Sequence, residues 1–112
     1  FTGCRTDCSW FGFKIAVRPD APFSRTDLAE ELDRHNIGNR MLFGGNLLRQ
    51  PAFIQLLKDR PEGFRIAREI EGSDEIMTNT LFLGTYPGLT TTMIQAELEI
   101  VKAFAFEAGN RR

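Results

Sequence analysis

The sequence predicts a small α+β sandwich, with a short, mostly antiparallel sheet and helices packed on one face. Three observations carry that expectation. Stretches of period two and of helical period succeed one another as strand, helix, strand, short helix, helix, strand, helix. The 112 residues suit one domain. Hydrophobic residues make up 42% of the chain, and ten Phe stand against one Trp and one Tyr, enough for a real core.

The elements follow in order. Residues 1–8 are polar and carry no period, which predicts a linker or arm. From Trp10 to Val17 the pattern alternates: Phe11, Phe13, Ile15 and Val17 point one way, Gly12, Lys14 and Ala16 the other. Arg18-Pro19-Asp20-Ala21-Pro22 ends this strand, because proline removes a ladder donor. Ser24 and Asp27 have capping-box spacing and open a helix over about 25–36, closed by Ile37-Gly38 with glycine as the left-handed stop. Arg40 to Phe43 is a short strand, and Gly44-Gly45-Asn46 a turn. Pro51 opens a short helix over about 51–57, with Phe53, Leu56 and Leu57 as its apolar face. Residues 58–63 are charged and loop-like, and 64–70 suit a strand edge or an irregular excursion. Ser73 can cap a helix beginning at Asp74. Leu81-Phe82-Leu83 is a strand, and Tyr86-Pro87-Gly88 a turn. Thr90 or Thr91 caps a last helix to about Phe106, striped by Ile94, Leu98, Val101 and Ala105, with Gly109 as its stop. The folded domain is thus 9–108, with 109–112 a tail.

Composition excludes several classes. With 14 Lys+Arg against 15 Asp+Glu, the net charge of −1 argues against disorder and against a nucleic-acid module. Nothing approaches the roughly 18–20 apolar residues that span a bilayer. No basic n-region precedes an apolar h-region, so no signal peptide is expected. The chain starts at Phe1 instead of Met, as a processed product or a cut piece would. Cys4 and Cys8 are too few for a disulfide framework and lack a second ligand pair for zinc. Such sparing use of cysteine fits a cytoplasmic protein.

The sequence holds no P-loop, no G-x-S-x-G, no H-E-x-x-H and no dinucleotide fingerprint. His35, the one histidine, falls in the last turn of the first helix, where a cation suits the dipole. The run from Arg40 to Gln50 is the candidate site. Gly44 and Gly45 let backbone approach a ligand closely, Asn46 offers a donor and an acceptor, and Arg40 and Arg49 offer planar forks for carboxylate or phosphate. The alternative is a solvated loop whose arginines pair with nearby acids.

Ser9-Trp10-Phe11-Gly12-Phe13, Ala21-Pro22-Phe23-Ser24-Arg25, His35-Asn36-Ile37-Gly38, the run Arg40 to Pro51 and Tyr86-Pro87-Gly88-Leu89-Thr90 carry a family likeness. From about Ser9 to Phe106 the chain resembles the C-terminal domain of the DegT-type sugar aminotransferases, which have the aspartate-aminotransferase fold. Within them it is most similar to the lipopolysaccharide-biosynthesis dehydrases, the CDP-4-keto-6-deoxy-glucose 3-dehydrases and their GDP-sugar relatives. Gly44 to Pro51 is the most specific stretch. Cys8 and Asn39 depart from the usual proline and threonine.

The resemblance implies C3 deoxygenation of a nucleotide-linked 4-keto-6-deoxy sugar with pyridoxamine or pyridoxal 5'-phosphate. A histidine replaces the Schiff-base lysine of the aminotransferases, and the cofactor is anchored mainly by a large N-terminal domain outside this chain. It further implies a homodimer and, for CDP-sugar enzymes, an upstream iron–sulfur cluster and a reductase partner. His35 does not match the catalytic histidine, nor Cys4 and Cys8 the cluster cysteines. This chain would supply the substrate-side wall: Arg40 or Arg49 on an anion, Asn46 and Gln50 on the sugar, Gly45 as the close approach, Phe43 and Trp10 as the apolar boundary. By itself it is expected to be inactive. A sugar aminotransferase or a non-catalytic ligand-binding module remain alternatives.

Overall fold

A computed structural model describes residues 9–111; the expected arm at 1–8 and Arg112 lie outside the described residues. Three strands, β1 (Gly12–Ala16), β2 (Asn39–Met41) and β3 (Thr80–Gly84), form an antiparallel sheet in the order β1-β3-β2. Helices α1 (Arg25–Arg34), α2 (Pro51–Asp59), α3 (Glu71–Asn79) and α4 (Thr91–Asn110) complete the expected order. Short 3-10 turns at Leu47–Arg49 and Pro61–Gly63 flank α2.

Register decides which side chains share a face. Phe13 lies opposite Leu83, Ile15 opposite Leu81, and Asn39 and Met41 opposite Leu83 and Leu81, so these stand on one side of the sheet. There Leu81 and Leu83 meet Leu28, Ala29 and Leu32 of α1 together with Val17. Val101 and Phe104 of α4 close over this cluster, the Phe104 ring edge-on to Phe23 at 4.9 Å. Each fully buried leucine contributes about 1.5–3 kcal/mol before chain entropy is charged.

The expected buried face of β1 is covered at one end only. Ile15 and Val17 pack against or within the core, but Phe13 is 55% exposed and Phe11, just ahead of the strand, 74%. β1 is an edge strand, with a neighbour on one side, whereas the central Leu83 is shielded on both.

α1 starts as expected. The Ser24 side chain accepts from the Asp27 N–H, and the Asp27 carboxylate accepts from the Ser24 N–H at 2.7 Å. Its end differs. The left-handed residue is Asn36 (φ 57°), not Gly38. Asn36 N–H donates to the Asp33 carbonyl and Ile37 N–H to the Leu32 carbonyl, the two bonds of a Schellman motif, and Ile37 packs onto the core. Asparagine tolerates this conformation because its short side chain finds local partners.

α3 begins at Glu71, ahead of the expected Asp74, and Ser73 does not cap it. Ser73 and Asp74 N–H groups both donate to the Ile70 carbonyl, and Glu71 and Asp74 place negative charge in the first turn. α2 reaches Asp59, two residues past expectation. Thr90 caps α4 by accepting from Met93 N–H, and α4 continues through Gly109, since one glycine at about 1 kcal/mol does not halt a long helix.

Candidate functional site

The chain leaves β2 through a tight, doubly left-handed turn. Phe43 N–H donates to the Met41 carbonyl at 2.8 Å and Gly45 N–H to the Leu42 carbonyl at 3.0 Å. Phe43 (φ 45°) and Gly45 (φ 61°) both lie in the left-handed region. Gly45 is needed twice over, because a Cβ there would also fall 2.5 Å from Met77 Cγ of α3.

Asn46 then turns inward and is only 4% exposed. Its Oδ1 accepts from Leu48 N–H at 3.0 Å, capping the 3-10 turn, and its Nδ2 donates to Asp74 Oδ1 at 2.8 Å. Arg49 grips the same carboxylate with both arms, Nε to Oδ1 at 3.1 Å and Nη2 to Oδ2 at 2.8 Å. Arg49 and Asn46 together hold the Asp74 carboxyl below the usual carboxylate range, the arginine hydrogen bond being the larger cause. Gln50 Nε2 donates back to the Gly44 carbonyl at 2.6 Å.

The opposite face of the sheet carries a different group. Phe82 lies between Lys14 of β1 and Arg40 of β2, one rung across all three strands. The Phe82 ring folds over Gly12, where a Cβ would stand 2.6 Å from its Cδ2. Phe11 and Phe43 complete the cluster, with ring centroids 5.8 and 5.6 Å from Phe82 and 5.9 Å from each other. Such spacing falls within the range of favourable aromatic pairs. Arg40 is exposed, and among the described residues its Nη1 donates to the carbonyl of its neighbour Asn39 at 3.3 Å. Trp10 is 55% exposed, and its carbonyl accepts from the Thr85 hydroxyl across the edge of the sheet.

The structure therefore divides the expected site residues in two. Gly45, Asn46, Arg49 and Gln50 come together, but around Asp74, Met77 and their own backbone. Arg40 and Phe43 stand with Phe11, Phe82 and Lys14 on the face away from α1 and α4. Phe11, Phe82 and Asp74 are the residues that sequence reasoning missed. For Phe82 a signal existed: in a strand it cannot share a face with Leu81 and Leu83.

A hollow of about 380 Å³ beside the loop is lined by Asn46, Leu48 and residues 64–70. His35 is the helix-end residue it resembled, with Nε2 3.1 Å from Glu31 Oε1. Among the described residues no cluster of His, Cys, Asp and Glu could hold a metal ion, and no helix is long and apolar enough to cross a membrane. Four of the loop's amide N–H groups are bonded within the loop: Gly45 to the Leu42 carbonyl, Leu48 to the Asn46 side chain, Arg49 to the Asn46 carbonyl and Gln50 to the Leu47 carbonyl.

Comparison with known proteins agrees with this geometry at the level of fold and family. The chain is 42% identical over 104 residues to a dTDP-4-dehydro-2,6-dideoxy-D-glucose 3-dehydratase of Saccharopolyspora spinosa, covering 93% of this chain and 21% of that protein. It is 41% identical over 87 residues to the lipopolysaccharide biosynthesis protein RfbH of Salmonella typhimurium, covering 78% and 18%. An E. coli GDP-4-keto-6-deoxy-D-mannose-3-dehydratase solved with bound hydrated PLP superimposes with a TM-score of 0.69 at 24% identity, over 82% of this chain and 22% of that one. The chain thus spans about a fifth of the relatives it matches. Residues 2–102 match the model of the DegT/DnrJ/EryC1/StrS aminotransferase family, and the chain belongs to that family.

Proposed function

We propose that this chain is the C-terminal, substrate-side part of a nucleotide-sugar 3-dehydratase, which removes the C3 hydroxyl of a 4-keto-6-deoxy nucleotide sugar. One observation carries the reading: the Lys14–Phe82–Arg40 rung, with the Phe11 and Phe43 rings beside it on the face free of α1 and α4. Aromatic rings flanked by cations match a ligand that is part ring and part diphosphate. Similarity to two 3-dehydratases, one solved with PLP, supports the reaction class and a pyridoxal-type cofactor.

In this reading Arg40 holds the anionic diphosphate, Phe43 and Phe11 face the apolar side of the sugar or base, and Trp10 extends that boundary. Arg49 is already neutralised by Asp74 and supports the loop, as do Gly45, Asn46 and Gln50. The cofactor is held mainly by residues outside this chain. The homodimer, any iron–sulfur cluster and any reductase contact belong to that remainder, and the assembled enzyme works in the cytoplasm.

The test uses the full-length gene product, supplied with pyridoxamine phosphate and CDP-, dTDP- or GDP-linked 4-keto-6-deoxy sugars. The expected product lacks the C3 hydroxyl by mass spectrometry. An aminated product that keeps that hydroxyl would reassign the protein as an aminotransferase. Arg40→Ala is expected to raise KM by about tenfold or more, in line with about 1.5–3 kcal/mol for a charge-assisted contact. An unchanged KM removes Arg40 from the site.

A further inference from the structure

We propose that Asp74 is a positioning residue for substrate binding: from α3 it locks the loop that presents Phe43 and continues from Arg40 of β2. The proposal rests on the reading of Arg40 and Phe43 as the substrate wall. Its grounds are geometric. One carboxylate collects three hydrogen bonds from the loop, one from Asn46 and two from Arg49, across separations of 28 and 25 residues. Asn46 is buried, and Gly45 sits against Met77 one turn further along α3. The loop is therefore fastened to α3 at three places, Gly45, Asn46 and Arg49.

Fastening is what the conformation of Phe43 requires. A non-glycine residue held at φ 45° is strained and persists only where its surroundings over-determine it. Phe43 is also 74% exposed, so its ring contacts with Phe11 and Phe82 cover only part of it. A further restraint comes from the segment that follows, and that segment is anchored at Asp74. Phe43 stands three positions before Asn46, so a shift at the anchor reaches its ring first, and through it the end of β2 that carries Arg40. Without the carboxylate, Asn46 Nδ2 loses its partner and the Arg49 guanidinium is freed to swing.

The experiment compares Asp74→Asn, Arg49→Gln and the double variant in the full-length protein. Each single variant is expected to raise KM for the nucleotide sugar about tenfold, with kcat held within about twofold. The double variant is expected to be no worse than either, because the two residues act as one device. A KM that stays put in Asp74→Asn overturns the proposal, as do effects that multiply in the double variant. Tryptic cleavage after Arg40, at the β2 bond that leads into the loop, reads how firmly the start of the loop is held. It should accelerate about tenfold in Asp74→Asn while cleavage after Arg34, in α1, stays constant. Equal rates after Arg40 also overturn the proposal. If cleavage after Arg34 rises too, the variant has not folded, and the KM of Arg49→Gln decides by the same criterion. Absence of turnover in the wild-type protein would instead sink the functional reading, and the proteolysis would still decide whether Asp74 fastens the loop.

Discussion

Gly45 and Met77 touch so closely that a methyl group on the first would lie 2.5 Å from Cγ of the second. The contact joins the loop after β2 to α3, and it coincides with a left-handed backbone at Gly45. Gly45→Ala therefore meets two penalties, a conformational one and an overpacking one of about 1–3 kcal/mol. We expect a lower urea midpoint for Gly45→Ala, and partial recovery in Gly45→Ala/Met77→Ala. Full recovery would assign the whole cost to the clash; none would assign it to the backbone.

The core rests on few side chains. Leu32 is fully enclosed between α1 and the sheet, alongside Leu28 and Leu81. Leu32→Ala should cost about 2–5 kcal/mol, the range for a leucine removed from a packed site. Chemical denaturation measures it, and a loss below about 1 kcal/mol would mean that the site collapses around the gap.

Helix α1 depends on its first turn. Ser24→Ala removes the acceptor for Asp27 N–H and leaves the carboxylate without the hydroxyl that donates to it at 2.8 Å. The expected loss is about 1 kcal/mol. Ser24→Asp keeps an acceptor at the cap and should retain more stability than Ser24→Ala in the same thermal melt.

Acid should weaken the molecule through two carboxylates. Asp27 is held below its ordinary value chiefly by the Ser24 backbone N–H, then by the Ser24 hydroxyl; Asp74 chiefly by Arg49, then by Asn46. A carboxyl whose folded value is lowered binds its proton more readily when unfolded. Its contribution is thus complete above the unfolded value, near 4, and is lost as pH falls through the lower folded value. The urea midpoint should drop between roughly pH 5 and pH 2, and drop less in Asp27→Asn/Asp74→Asn. Equal slopes would show that other groups control the acid limb.

What the sequence disclosed was local. Ser24 with Asp27, Thr90 with Met93 and the Tyr86–Leu89 turn are written within three residues of one another, and each forms as expected. Alternation along β1 found a strand and the shared face of Phe13 and Ile15, but Phe11, ahead of the strand, stands instead with Phe82 on the other face, and burial of Phe13 depended on where the other strands lay. Asn36 took the left-handed position in place of Gly38, because the helix ended at Arg34, two residues earlier than expected. The site was half legible for the same reason. Arg40 and Arg49 are the same residue type nine positions apart, and nothing local tells them apart. Asp74, distant in sequence, separates them by occupying one guanidinium and leaving the other at the surface.

The order β1-β3-β2 bears on how the molecule comes into being. Every ladder bond of the sheet runs to residues 80–84, from Gly12 paired with Gly84 to Met41 paired with Leu81. β1 and β2 never meet, so a nascent polypeptide emerging from the ribosome holds two orphan strands until β3 has been translated. Helix α1 can nucleate early on its own cap, yet its leucines await the same late arrival. Truncation anywhere before Thr80 would remove not one strand but the whole sheet.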